Sequence, residues 1–182
     1  MTSDAKKSPV GDVSMNTKLS ADQLKYINPL LIRSVLNNTK TIAMVGLSPK
    51  SERPSNFVAT YLQYHGFKVI PINPRADEIL GEKAYPDLKS AATDHKIDMV
   101  NVFRRPADCP PIAIDAVAIG AKSIWFQLQV INQEAADIAE AGGLQVVMDR
   151  CVKIEHGRYD GSLHWVGMNT EIISAKRGRR YL

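Results

Sequence analysis

Thr41-Ile42-Ala43-Met44-Val45-Gly46-Leu47-Ser48 is the stretch that decides the fold. A short, nearly unbroken apolar run that stops at a glycine and opens into a polar loop reads as a strand buried on both faces. The loop runs from Leu47 to Pro54, and beyond it Phe57, Val58, Tyr61 and Leu62 recur at helical spacing before Gly66 closes the segment. The same alternation then repeats. Phe67–Ile72 is a second strand, stopped by Asn73-Pro74, and Ile97–Phe103 is a third. Ile112–Ile119 reads as a helix started by Pro110-Pro111 and ended by Gly120, and Lys122–Phe126 follows as a fourth strand. Asn132 caps a helix whose inner face is Ala135, Ile138 and Ala139, and after Gly142-Gly143 the run Leu144–Met148 is the fifth strand. Upstream of the deciding stretch, Ser20 caps a short helix that Pro29 interrupts, and Leu31, Ile32, Val35 and Leu36 give a second helical piece an apolar face. Strands alternating with helical crossovers specify an α/β fold. We expect a doubly wound, parallel, five-stranded sheet of Rossmann-like type, because right-handed crossovers cover both faces.

At 182 residues, with 45% hydrophobic and 23% charged side chains, the chain suits one folded domain. We place it at residues 20–173, between a mobile polar leader (1–19) and a basic tail (174–182). The leader lacks the apolar core of a secretory signal and no run is long enough to span a membrane, so the expected location is cytoplasmic and no membrane partner is expected. Lys176, Arg177, Arg179 and Arg180 account for the whole net charge of +4, which leaves the body neutral. A nucleic-acid binder spreads positive charge over its folded face, so nucleic acid is not the expected partner. Cys109 and Cys151 are too few for a disulfide framework and lack the paired spacing of a zinc site.

In an open α/β sheet the ligand sits beyond the carboxyl ends of the strands, where strand order reverses. Those ends are here Gly46–Lys50, Asn73–Arg75, Phe103–Pro106, Gln127–Gln129 and Asp149–Cys151, and four of the five carry Arg or Lys. Clustered cations beside helix N-termini suit a polyanion. The usual dinucleotide fingerprint is absent: Gly46 is followed by Ser48 and Ser51 where G-x-G-x-x-G places its later glycines. At the second strand end an NAD protein offers an acid to the ribose, and this chain offers Arg75, which favours a ribose phosphate. NADP and coenzyme A (CoA) both carry one. An NADP-dependent oxidoreductase is therefore the alternative to a CoA binder.

The segments Ile42–Ser48, Val69–Pro74, Val102–Pro106, Trp125–Gln127 and Asp149–Cys151 with Glu155-His156 resemble the family of small CoA-binding proteins, which is similar to the CoA-binding domain of the succinyl-CoA synthetase alpha subunit. The resemblance implies that Gly46, Leu47 and Ser48 form the turn beside the CoA phosphates, with Lys50 and Arg53 adding charge. It implies that Asn73, Pro74 and Arg75 border the adenosine and its 3'-phosphate, that Val102, Phe103, Arg104 and Pro106 pack along the nucleotide, and that the ligand continues past Trp125 and Gln127. Gln129 stands where the family commonly has glycine. No nucleophile elbow, metalloprotease motif or P-loop occurs in the sequence. The expected function is that of a non-catalytic carrier, sensor or accessory module for CoA or acyl-CoA, lending its site to a partner enzyme. Cys151, at a strand end, reads as a small buried hydrophobe; His156 and His164 lack metal-site spacing. Glu155 and His156, being adjacent, point to different sides.

Overall fold

The structure, a computed structural model, describes residues 19–159; the basic tail, His164 and all but the last residue of the leader lie outside the described residues. Five parallel strands form the main sheet: β1 (Thr41–Val45), β2 (Lys68–Ile72), β5 (Met99–Val102), β6 (Ser123–Phe126) and β7 (Gln145–Val147). Their spatial order is β2-β1-β5-β6-β7, so strand order reverses between β1 and β5. Each strand lies close to where the apolar runs put it. The ends are trimmed by up to two residues: Phe67, Ile97, Asp98, Phe103, Lys122, Leu144 and Met148 fall outside the paired ranges, although the Asp98 and Phe103 N–H groups still donate to the Thr41 and Val45 carbonyls.

Alternation along each strand sorts the core into two layers. Ala43, Ile70, Val100, Val102, Ile124, Phe126 and Val146 face α3 (Leu88–Asp94), α4 (Cys109–Ala118) and α5 (Gln133–Ala141). Ile42, Met44, Val69, Met99, Trp125 and Val147 face α1 (Pro29–Asn37), α2 (Pro54–Tyr64) and α6 (Val152–Tyr159). A 3-10 turn, Ala21–Ile27, precedes α1 and buries Tyr26 against the first layer. The segment after Asn73-Pro74 contains a two-stranded antiparallel ladder, β3 (Glu78–Ile79) with β4 (Glu82–Lys83), before α3. At the amino ends of the strands Asp98 accepts hydrogen bonds from the Lys40 and Thr41 N–H groups, both at 3.0 Å, and pairs with Lys122 at 2.7 Å. Burial alone would push the Asp98 carboxyl up, yet the Lys122 ammonium and these two N–H donors hold it below the ordinary value.

Candidate functional site

The loop after β1 is built by its own polar side chains. Ser48 N–H donates to Ser55 Oγ at 3.1 Å, Asn56 Nδ2 donates to the Ser48 carbonyl at 3.0 Å, and Lys50 N–H donates to Ser48 Oγ at 3.2 Å. These bonds set the loop against the first turn of α2, whose amino end carries partial positive charge. At the opposite wall Asn73 ties the end of β2 to this loop, with Nδ2 donating to the Leu47 carbonyl at 2.8 Å and Oδ1 accepting from Arg75 N–H at 2.9 Å. Its side chain is thus spent on holding two loops together and aiming the turn that carries Arg75.

Gly46 has φ +84°, and a Cβ there would run into the Phe103 carbonyl oxygen and lie 3.0 Å from Arg104 Cδ. Only glycine lets the ends of β1 and β5 approach this closely where strand order reverses.

Between these loops lies a cleft of about 880 Å³, within the range of small-molecule sites. Gly46, Ser48, Lys50, Arg53, Asn73, Pro74, Arg75 and Arg104 all line it. Leu47, Val102, Phe103, Pro106, Trp125 and Gln127 do not. Leu47, Val102 and Trp125 are fully buried, and Trp125 Nε1 donates to the Arg150 carbonyl at 2.7 Å, which joins β6 to the start of α6. Phe103 packs against the same core layer as Trp125. Pro106 opens the 3-10 turn before α4 and accepts from Asn132 Nδ2.

The far wall is one the sequence does not announce. Pro86, Leu88, Pro111 and Ile112 give it an apolar surface, and Asp87, Asp108 and Asp115 give it three carboxylates. Each carboxylate is committed. Asp87 caps α3 through Ser90 N–H at 2.8 Å, a bond that holds it below the usual carboxylate range. Asp108 accepts from Arg105 and Arg104, the first of which chiefly lowers its pKa, and Asp115 pairs with Lys89 at 2.7 Å. By contrast Lys50, Arg53 and Arg75 enter no ion pair among the described residues. The cleft therefore carries three cations without ion-pair partners beside a helix amino end, facing a wall of apolar residues and three carboxylates, of which Asp108 and Asp115 are ion-paired and Asp87 caps α3. That combination suits a ligand with separated phosphates and a flat apolar part.

Further along the carboxyl edge, Gln127 Nε2 donates to Asn101 Oδ1 at 2.8 Å, while Asn101 Nδ2, fully buried, has no partner. An unpaired buried donor of this kind costs about 1–3 kcal/mol. Gln129 and Asp149 both adopt left-handed backbone, φ 65° and 54°, and Gln129 N–H donates to Asp149 Oδ1 at 2.7 Å. The positive φ accounts physically for a preference for glycine at the first of these positions; the Gln129 side chain is exposed and does not line the cleft. Glu155 turns to Arg158 and His156 to Tyr61, with the Tyr61 hydroxyl 3.0 Å from His156 Nδ1. Burial pushes the Cys151 thiol up; the residue is half-buried, packed against the second core layer and not sealed in it as a buried hydrophobe would be.

Residues 40–157 match the family model described as CoA binding domain. Over 125 residues the chain is 40% identical to the uncharacterized protein YneT of Bacillus subtilis, an alignment covering 69% of this chain and 91% of that protein. A solved structure of a hypothetical protein from Pyrococcus horikoshii superposes with a TM-score of 0.71 at 38% identity, covering 78% of this chain and 98% of that one. An ADP-forming acetate–CoA ligase of Archaeoglobus fulgidus is 23% identical over 124 residues, which is 62% of this chain and 18% of the ligase.

Proposed function

The chain belongs to the CoA-binding domain family, and on that premise we propose that its cleft binds coenzyme A or an acyl-CoA. The observation that carries the reading is the set of three cations without carboxylate partners, Lys50, Arg53 and Arg75, lining a cleft of about 880 Å³ where strand order reverses. Lys50, Arg53 and the amino end of α2 take the pyrophosphate beside the turn Gly46–Ser48. Arg75 takes the 3'-phosphate, with Asn73 and Pro74 bordering the adenosine, and Arg104 closes the nucleotide side. Leu47, Val102, Phe103, Pro106 and Trp125 support these loops from behind, and Gln127 lies on the onward path of the pantetheine arm. The domain works as a non-catalytic carrier, sensor or accessory module that presents its ligand to a partner enzyme. This reading is supported by the absence of catalytic motifs in the sequence and by the small share of the acetate–CoA ligase, 18%, that aligns with this chain. A cytoplasmic setting agrees with two cysteines that are both free.

Ligand-dependent stabilisation tests the reading. A ligand that binds only the folded state adds about 2.7 kcal/mol at a hundredfold excess over Kd. CoA is expected to raise the unfolding midpoint and NADPH is not. The opposite pattern makes the protein an NADP binder and removes the CoA reading.

A further inference from the structure

We propose that Asn101 is a positioning residue: it holds the side-chain amide of Gln127 so that the Gln127 carbonyl oxygen accepts a hydrogen bond from a secondary-amide N–H of the ligand. The inference rests on the CoA reading, because the pantetheine arm of CoA contains secondary amides and the nucleotide half has none. Asn101 is the polar exception in an apolar row. Its register neighbours are Met44 on β1 and Trp125 on β6, and both are fully buried. A valine or leucine there would remove the stranded Asn101 Nδ2 but leave the Gln127 Nε2 donor without its acceptor, so the asparagine serves Gln127 rather than the apolar row. What the asparagine achieves is to fix Gln127, whose Nε2 is committed to Asn101 Oδ1 at 2.8 Å. The other end of the Gln127 amide stays open. Nothing among the described residues donates to Gln127 Oε1, and the only sealed, unpartnered side-chain atoms among those residues are Asn101 Nδ2 and Arg158 Nε, so this oxygen is not wholly sealed although Gln127 is only 4% exposed. Gln127 follows the last residue of β6 and thus stands on the carboxyl edge of the sheet. From the end of β1 to that of β6 is two strand spacings, about 9–10 Å, a distance an extended pantetheine arm spans.

The test compares CoA with adenosine 3',5'-bisphosphate, which retains the 3'-phosphate and adenosine but lacks the arm. Asn101→Val is expected to weaken CoA about three- to tenfold, the range of one neutral hydrogen bond, and to leave the bisphosphate unchanged. Gln127→Leu gives the same selective loss, and the double variant loses no more than Gln127→Leu alone, because Asn101 acts through Gln127. Equal weakening of both ligands, or undiminished CoA binding by both single variants, overturns the proposal while the CoA reading stands. A wild-type chain that binds neither ligand overturns the CoA reading and this proposal with it.

Discussion

Gly46 and Gly66 form a natural pair for measuring what the closeness of β1 and β5 demands. Both have φ +84°, so alanine at either meets the same backbone penalty, about 1–2 kcal/mol for a left-handed residue. The stiffer unfolded chain offsets about 0.4–1 kcal/mol of it in both cases. The surroundings differ. A Cβ on Gly66 meets nothing within 4 Å, whereas one on Gly46 collides with the Phe103 carbonyl. That carbonyl has little freedom to retreat, because Phe103 N–H donates to Val45 O at 2.9 Å and Gly46 N–H donates to Ile72 O at 3.0 Å, which pins the loop from both sides. Overpacking of this kind adds about 1–3 kcal/mol. Gly66→Ala should therefore cost about 1 kcal/mol and Gly46→Ala about 2–4 kcal/mol, read from urea unfolding at unchanged m-value. Equal costs for the two variants would mean that backbone conformation alone, and not the approach of two strand ends, requires Gly46.

Arg75→Ala should weaken CoA about tenfold to a hundredfold, the worth of a charge-assisted bond to phosphate, and leave dephospho-CoA nearly unaffected; equal losses in calorimetric titrations would move Arg75 away from the 3'-phosphate. Asp98 has a folded-state pKa held below its ordinary value, so its contribution is complete above about pH 4 and is lost as pH falls through the lower, folded value. Asp98→Asn should accordingly cost on the order of 2 kcal/mol at pH 7 and progressively less in acid, and a deficit that does not shrink below pH 4 would contradict the linkage. Burial pushes the Cys109 thiol up to about 11, and its Sγ donates to the Arg105 carbonyl; a thiol reagent at pH 8 should leave it unmodified in the native protein and modify it after denaturation, as rapid native-state labelling would disprove.

The layered sheet was legible because it rests on signals carried locally: apolar runs such as Thr41–Val45, stops such as Asn73-Pro74, and caps such as Asn132, whose side chain accepts from Ala135 N–H at 2.7 Å. Elements built on other terms were not. The β3–β4 ladder pairs two residues with two, too short to show a period, and α3 has seven residues of which only Leu88 and Ala91 are buried, with Asp87 as its cap. In α6 the buried positions include Glu155, His156 and Arg158, which pair with one another and with neighbours rather than forming an apolar stripe, so the helix leaves no hydrophobic signature. The same division runs through the site. Lys50, Arg53, Arg75 and Arg104 were readable because they follow strand ends, where the fold gathers loops. The wall opposite them was not, since Asp87, Pro111 and Asp115 reach the cleft only through how α3 and α4 pack, which no short stretch of sequence encodes. Leu47 shows the converse, lying between the lining residues Gly46 and Ser48 but turned into the core, while Val102 and Trp125 are sealed within their strands.

Calorimetric titration of the wild-type chain with CoA, beside the variant Lys50→Gln, Arg53→Gln, Arg75→Gln, decides whether the cleft is a CoA site held by these cations. These three side chains are exposed and make no ion pair among the described residues, so the variant should unfold at the wild-type midpoint. Saturable binding of one CoA per chain is expected for the wild type, and a loss of at least a hundredfold in the variant. Wild-type protein that takes up no CoA, or a folded variant that binds it as tightly as the wild type, would contradict this assignment.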